Sequence, residues 1–232
     1  MTVIVCASSK GGAGKTTACV LLACEFARQG LEKGIQISVI DADPNQHTAA
    51  WALLDKKPSN INLYGNVTEE SILDTIEEAS KVSPFVLVDL EGVSSNAVTY
   101  AISQADLVVI PCQASQNDAK EAVKTIKMIK NSSKMVKQEI PFSVLFTRVS
   151  AAISTKTGKF LQQEFKNAGI DMLNVSLIDR EAYKSIFSFG GSVNSLEATD
   201  KRMLASRNKA EENVRLFAEE VKKRLKDLIE NK

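Results

Sequence analysis

Eight consecutive residues, Lys10 to Thr17, read Lys-Gly-Gly-Ala-Gly-Lys-Thr-Thr and carry the chemistry most directly named in this chain. They follow an apolar run, Val3 to Ala7, and precede a segment of helical character, Ala18 to Ala27. A glycine loop between a strand and a helix is what a phosphate-binding loop requires. Gly11, Gly12, Ala13 and Gly14 let backbone N–H groups turn inward around phosphate oxygens, and the helix start adds its positive dipole end. Lys15 then reaches the β- and γ-phosphates, the Thr16 hydroxyl ligates Mg²⁺, and Thr17 completes the run. The general pattern has glycine at position 9, whereas this chain has Ser9, and a second lysine, Lys10, stands five residues before Lys15.

Two carboxylate groups come next in importance. Asp41-Ala42-Asp43-Pro44-Asn45 closes an apolar run beginning at Ile35, and Phe85-Val86-Leu87-Val88-Asp89 ends in a carboxylate. An aspartate at the end of a buried strand beside a phosphate loop can hold Mg²⁺-bound water. The first group also reads as a solvated Asp/Pro turn that caps a helix. Glu91, just beyond Asp89, reads either as a further carboxylate of the site or as a solvated loop residue.

The elements needed to position these groups are legible in the periodicity. Apolar strand-like runs lie at Ile35–Asp41, Ile61–Tyr64, Phe85–Asp89, Leu107–Pro111, Phe142–Thr147 and Leu173–Ile178. Between them lie helical patterns: Thr48–Leu54, the stripe of Ile72, Leu73, Ile76 and Ala79, and the stripe of Ala119, Ala122, Val123, Ile126 and Ile129. Another surrounds Phe160, Leu161 and Phe165, and Gly190-Gly191 breaks one that follows Asp179. Alternation of this kind implies right-handed βαβ units, which bring the loops at the strand C-termini to one edge. The expected fold is therefore α/β: a P-loop NTPase fold with a mostly parallel twisted sheet and helices on both faces. Residues 1–232 read as one domain, without repeat, low-complexity tract or linker.

Composition narrows the function. The 232 residues are 44% hydrophobic and 25% charged, with a formal net charge of +1, so any nucleic-acid contact needs a local patch. Cys6, Cys19, Cys24 and Cys112 have no metal-ligand spacing and read as buried thiols of a reducing cytoplasm. No stretch reaches transmembrane length, and a strand beginning at Thr2 leaves no room before it for a signal peptide or an operator-reading helix-turn-helix. Lys120, Lys124, Lys127, Lys130, Lys134 and Lys137 line one side of a helix, a pattern that is either a solvated face or an anion-binding one. Lys201 to Lys232 carries Val214, Phe217, Ala218, Val221, Leu225, Leu228 and Ile229 at helical spacing, as expected for docking on the sheet. The acids among them disfavour an anionic membrane as the partner.

Lys-Gly-Gly-x-Gly-Lys-Thr-Thr, with Asp-x-Asp-Pro and the apolar run ending at Asp89, resembles the deviant Walker A ATPases of the ParA/MinD family over nearly the whole chain. The similarity is greatest to short ParA-type partition ATPases and the related VirC-type proteins. The resemblance implies ATP and Mg²⁺ as cofactors and slow, partner-stimulated hydrolysis. It implies an ATP-bound homodimer in which Lys10 reaches the partner's phosphates. By the same resemblance Asp43 positions the attacking water, Asp41 joins Thr16 and Asp89 around Mg²⁺, and Arg148, Asp179 and Arg180 lie against the base. Arg180, Lys184, Lys201, Arg202, Arg207 and Lys209 become candidates for non-specific DNA binding. The implied role is plasmid or chromosome partition with a ParB-like adaptor, in the cytoplasm and on the nucleoid when ATP is bound. A VirC-type role in delivering a DNA-transfer complex, a MinD-like membrane switch and a metabolic ligase are the alternatives. The family often continues after the Asp89 position with a Pro-rich turn, and here Leu90-Glu91-Gly92-Val93-Ser94-Ser95 follows instead.

Overall fold

The computed structural model describes residues 1–92, 95–150 and 156–230. Val93 and Ser94, in the segment after Asp89, and Lys232, at the end of the C-terminal pattern, lie outside the described residues. Six parallel strands form one sheet: β1 (Thr2–Cys6), β2 (Ile37–Ala42), β3 (Ile61–Tyr64), β4 (Phe85–Leu90), β5 (Leu107–Gln113) and β6 (Phe142–Thr147), in the order β3-β2-β4-β1-β5-β6. Central strands buried on both faces read as continuous apolar runs instead of alternating ones, which is why Val3–Cys6 and Val86–Leu90 contain few polar residues.

The helices form two layers. Against one face pack α1 (Lys15–Gly30), α2 (His47–Leu53), α7 (Glu181–Phe189) and the 30-residue α8 (Lys201–Glu230), through a core that includes Leu21, Leu22, Trp51, Ile186 and Phe217. Against the other pack α3 (Ile72–Val82), α4 (Asn96–Ser103), α5 (Gln116–Val136) and α6 (Lys156–Asn167), around Ile72, Ile102, Ile126 and Phe165. Val214, Phe217, Ala218, Val221 and Leu225 of α8 are all buried, so its apolar stripe is spent on the sheet. Ile229, near the end of the same stripe, is 71% exposed, and among the described residues no helix is long and apolar enough to cross a membrane.

Two expectations change. Leu173–Ile178 does not form a continuous strand; it touches the β6 edge through bridges at Met172 and Ile178. Toward β6, Leu173 N and Leu177 N donate to the Val144 and Phe146 carbonyls (2.9 Å each), while on the other edge Ile178 N donates to Asn213 Oδ1 (2.9 Å) and Asn213 Nδ2 to the Ser176 carbonyl (2.8 Å). Helix α4 lacks an apolar stripe long enough to stand out in the sequence; Ser95 caps it by accepting from Val98 N (3.3 Å).

Candidate functional site

The loop between β1 and α1 lies at the C-terminal edge of the sheet, between strand ends that carry the acids. In register Cys6 pairs with Asp89, and Asp89 pairs with Asp41, so adjacent strands deliver both carboxylates beside the loop. Gly14 precedes α1 at φ 104°, a left-handed conformation that admits glycine and strains other residues. No acid occupies the first turn of α1, so its free N–H groups face an anion without competition. Gly92 closes over the loop: a Cβ there would stand 3.0 Å from Gly11 N and 3.2 Å from the Lys10 carbonyl carbon. The segment after Asp89 thus runs directly against the phosphate loop, and glycine is what permits the approach.

Several residues hold the loop that sequence reasoning did not single out for this task. Thr147 Oγ1 donates to the Ala13 carbonyl (2.8 Å) and Gln113 Nε2 to the Gly12 carbonyl (3.0 Å), each from the end of a strand. Ser9, standing where the general pattern has glycine, fastens the loop to α5. Its N–H donates to Thr125 Oγ1 (3.0 Å), and its hydroxyl lies 2.9 Å from both the Glu121 carbonyl and Glu121 Oε2. Polar residues at the ends of apolar strands were the available signal for Thr147 and Gln113; nothing local marks Thr125 or Glu121.

The two lysines differ in setting. Lys15 is buried, with Nζ 3.5 Å from the Lys10 carbonyl. Lys10 is 38% exposed at its side chain and donates from Nζ to Asp118 Oδ2 (2.9 Å). Asp118 is buried and also accepts from the Ser115 hydroxyl, while its Oδ1 has no partner. Burial pushes the Asp118 carboxyl up, but Ser115 and Lys10 outweigh it and hold the group below the usual carboxylate range.

The acids also separate into roles. Asp89 is fully buried; Oδ2 accepts from Thr48 Oγ1 (2.8 Å) and Oδ1 has no partner. Burial pushes its carboxyl up to about 7, against the lowering effect of the Thr48 and Thr16 hydroxyls and of Lys15. An orphaned buried oxygen beside a threonine hydroxyl at a phosphate loop fits Mg²⁺, which is held by one or two carboxylates together with phosphates. Asp41, also expected in that shell, has both carboxylate oxygens engaged by backbone N–H groups. Its Oδ1 accepts from Asp43 N (3.1 Å) and its Oδ2 from Ala49 N (2.7 Å), so it braces the β2–α2 turn. Burial raises its pKa, and those backbone donors work against the rise. Asp43 keeps one oxygen uncommitted, because Oδ1 takes both Asn45 N (2.8 Å) and Asn45 Nδ2 (2.9 Å).

Beside the loop opens a cavity of about 280 Å³ whose walls include Gly14, Thr17, Arg148, Asp179, Arg180 and Tyr183. This gathers the expected base-side residues into one pocket. Arg148 adopts φ 52°, and the Arg180 Nε is buried without a partner. Tyr183 is anchored from below, its hydroxyl lying 3.0 Å from Asn213 Oδ1. The six C-terminal DNA candidates differ in setting. Arg180 and Lys184 line that cavity, and Lys184 pairs with Asp179 (3.4 Å). Arg207 is tied to the Leu196 carbonyl (2.9 Å) and Glu211 (3.1 Å), which leaves Lys201, Arg202 and Lys209 exposed on α8. All four cysteines are buried and free, and burial pushes the Cys112 thiol up to about 12, as for inert core residues.

Comparison with known proteins places this geometry among relatives. The family model described as VirC1 protein matches residues 1–231. Protein ParA of Rhizobium radiobacter is 37% identical over 229 residues, spanning 99% of this chain and 100% of that protein. Protein virC1 of Rhizobium rhizogenes is 25% identical over 226 residues, covering 95% and 94% respectively. Among solved structures, the ATP complex of a Cyanothece McdA variant superposes with a TM-score of 0.73 at 16% identity, over 95% of this chain and 96% of that one. Likeness at that identity establishes the P-loop NTPase fold shared with ParA, MinD and McdA proteins.

Proposed function

This chain belongs to the VirC1 family, and from that membership and the geometry of the site we propose a Mg²⁺-dependent ATPase that works as a dimerising switch on DNA. Residues 1–232 act as one nucleotide-binding domain. Gly11 to Thr17 cradle the phosphates, Lys15 neutralises their charge, and the pocket of Arg148, Asp179 and Arg180 takes the base. Thr16 and Asp89, with Asp41 in the surrounding shell, would hold Mg²⁺, which when bound would neutralise charge on the phosphate oxygens. Asp43, with a carboxylate oxygen to spare, orients the water that attacks the γ-phosphate. Lys10 leaves Asp118 to reach phosphate held by a second copy, so ATP in both sites joins the dimer and hydrolysis releases it. Turnover is slow, as befits a switch.

One observation carries the reading. The second lysine of the loop is held at the loop's outer edge by Asp118, where the loop's own cradle does not use it. Partition of plasmid or chromosomal DNA with a ParB-like adaptor is the role favoured by the 37% identity to a full-length ParA protein. The protein would then be cytoplasmic and nucleoid-associated when ATP is bound. A VirC-type role in DNA transfer is the second reading, favoured by the family match over residues 1–231. A gel shift with a non-specific duplex tests what the two share. Binding is expected with ATP–Mg²⁺, not with ADP–Mg²⁺ or without nucleotide, and is expected to be lost in Lys10→Ala. Binding indifferent to nucleotide, or none in any state, contradicts the switch on DNA.

A further inference from the structure

The helical layer made of α3, α4, α5 and α6 is polarised in charge. At one end α3 presents Asp74, Glu77 and Glu78 to solvent; two helices away, α5 carries five lysines against two acids. Both α5 acids are turned elsewhere, since Asp118 is buried under Lys10 and Glu121 faces Ser9. At about 100° per residue, Lys120, Lys124, Lys127, Lys130 and Lys134 fall within an arc of about 120° on the outward side. All five are exposed, and among the described residues Lys124 alone of them has an ion pair, with Glu121 at 2.6 Å. From Lys120 to Lys134 the row runs for about 21 Å at 1.5 Å per residue. The neighbouring α6 adds exposed Lys156 and Lys159. A protein of formal charge +1 thus presents a row of exposed lysines on one face.

A straight row of mobile ammonium groups matches a duplex, whose phosphates repeat every few ångströms along its axis. Within the α5 row no large apolar residue is exposed: Met135 and Val136 come after it at the helix end, and the exposed Phe160 of α6 stands beside Lys159, outside the α5 row. The helix is also the one that the phosphate loop holds, through Ser9 on Glu121 and Thr125 and through Lys10 on Asp118. We propose that the outward face of α5, extended by α6, is the surface that lies along the DNA backbone, and that its hold by Ser9 and Lys10 couples it to the nucleotide. The inference rests on the DNA-binding reading above and names a surface on the sheet face opposite to α8, where Lys201, Arg202 and Lys209 lie.

The test compares two triple variants of the full chain in ATP–Mg²⁺: Lys120→Ala/Lys127→Ala/Lys134→Ala and Lys201→Ala/Arg202→Ala/Lys209→Ala. Each keeps the phosphate loop intact, and alanine is the best helix former at exposed sites. Binding of a non-specific duplex is measured over a salt series, with basal ATP hydrolysis as the check on folding. The α5 triple is expected to weaken binding at least tenfold and to reduce the slope of log affinity against log salt by about 3, close to one per phosphate contact removed. The α8 triple is expected to keep the wild-type slope. Wild-type slope and affinity in the α5 triple, with loss in the α8 triple, overturns the proposal while leaving DNA binding standing. No binding by the wild type overturns both. Sedimentation of the wild type with phosphatidylserine vesicles in place of DNA, lost in the α5 triple, overturns it in favour of a membrane surface.

Discussion

A carboxylate buried at the end of β4 cannot be held ionised by water, so its charge must be matched by whatever enters the phosphate loop. Burial raises the Asp89 carboxyl to about 7, and Oδ1 faces no donor. A raised carboxylate stabilises the fold while protonated, a contribution complete below the unfolded value near 4 and lost as pH rises through about 7. Nucleotide-free protein is therefore expected to lose on the order of 2–4 kcal/mol from this group between pH 5 and pH 8. The stability excess of Asp89→Asn over wild type in thermal unfolding should grow from pH 5 to pH 8, and the variant should lose the Mg²⁺-dependent part of the stabilisation by ATP. Equal pH dependence in the two proteins would show that Asp89 is not held in this way. The phosphate loop and Asp89 were legible in the sequence because a glycine loop between strand and helix, and an apolar run ending in a carboxylate, are patterns of local spacing. The bracing role of Asp41 was not, because it depends on Ala49 N–H arriving from the first turn of α2.

Elements show the same division. Five of the strands after β1 were expected within one or two residues, because buried parallel strands leave unbroken apolar runs between turn signals. The segment 173–178 carries such a run and yet forms bridges instead of a ladder, and Asn213 of α8, 35 residues beyond Ile178, takes backbone groups on its far edge. No local pattern announces a side chain that acts as a surrogate strand. Asn213 also meets the Tyr183 hydroxyl, so one amide supports two walls of the cavity beside the phosphate loop. Asn213→Ala leaves the Ile178 N–H, the Ser176 carbonyl and the Tyr183 hydroxyl to find other partners. A destabilisation of about 2 kcal/mol is expected in denaturant unfolding, together with weaker nucleotide binding. Stability lost without any change in nucleotide affinity would separate this bracket from the site.

At the scale of the whole molecule, the sheet divides two tasks. The layer of α1, α7 and α8 builds and backs the nucleotide pocket, and the layer of α3 to α6 offers the charged face, with α5 fastened to the loop between them. Length, composition and strand alternation made the α/β architecture and its two layers legible. The separation of lysines from acids across one layer was not legible, because it depends on the order in which helices far apart in sequence pack. The central claim concerns Lys10, which in one molecule is held on Asp118 and in the proposed dimer crosses to a partner's phosphate. Sedimentation velocity with ATP–Mg²⁺ on Asp43→Ala, built to bind without hydrolysis, beside Asp43→Ala/Lys10→Ala, tests that claim most directly. The account predicts a dimer in the first, a monomer that still binds ATP in the second, and monomers of both with ADP. A dimer that persists without Lys10, or that forms without ATP, would contradict it.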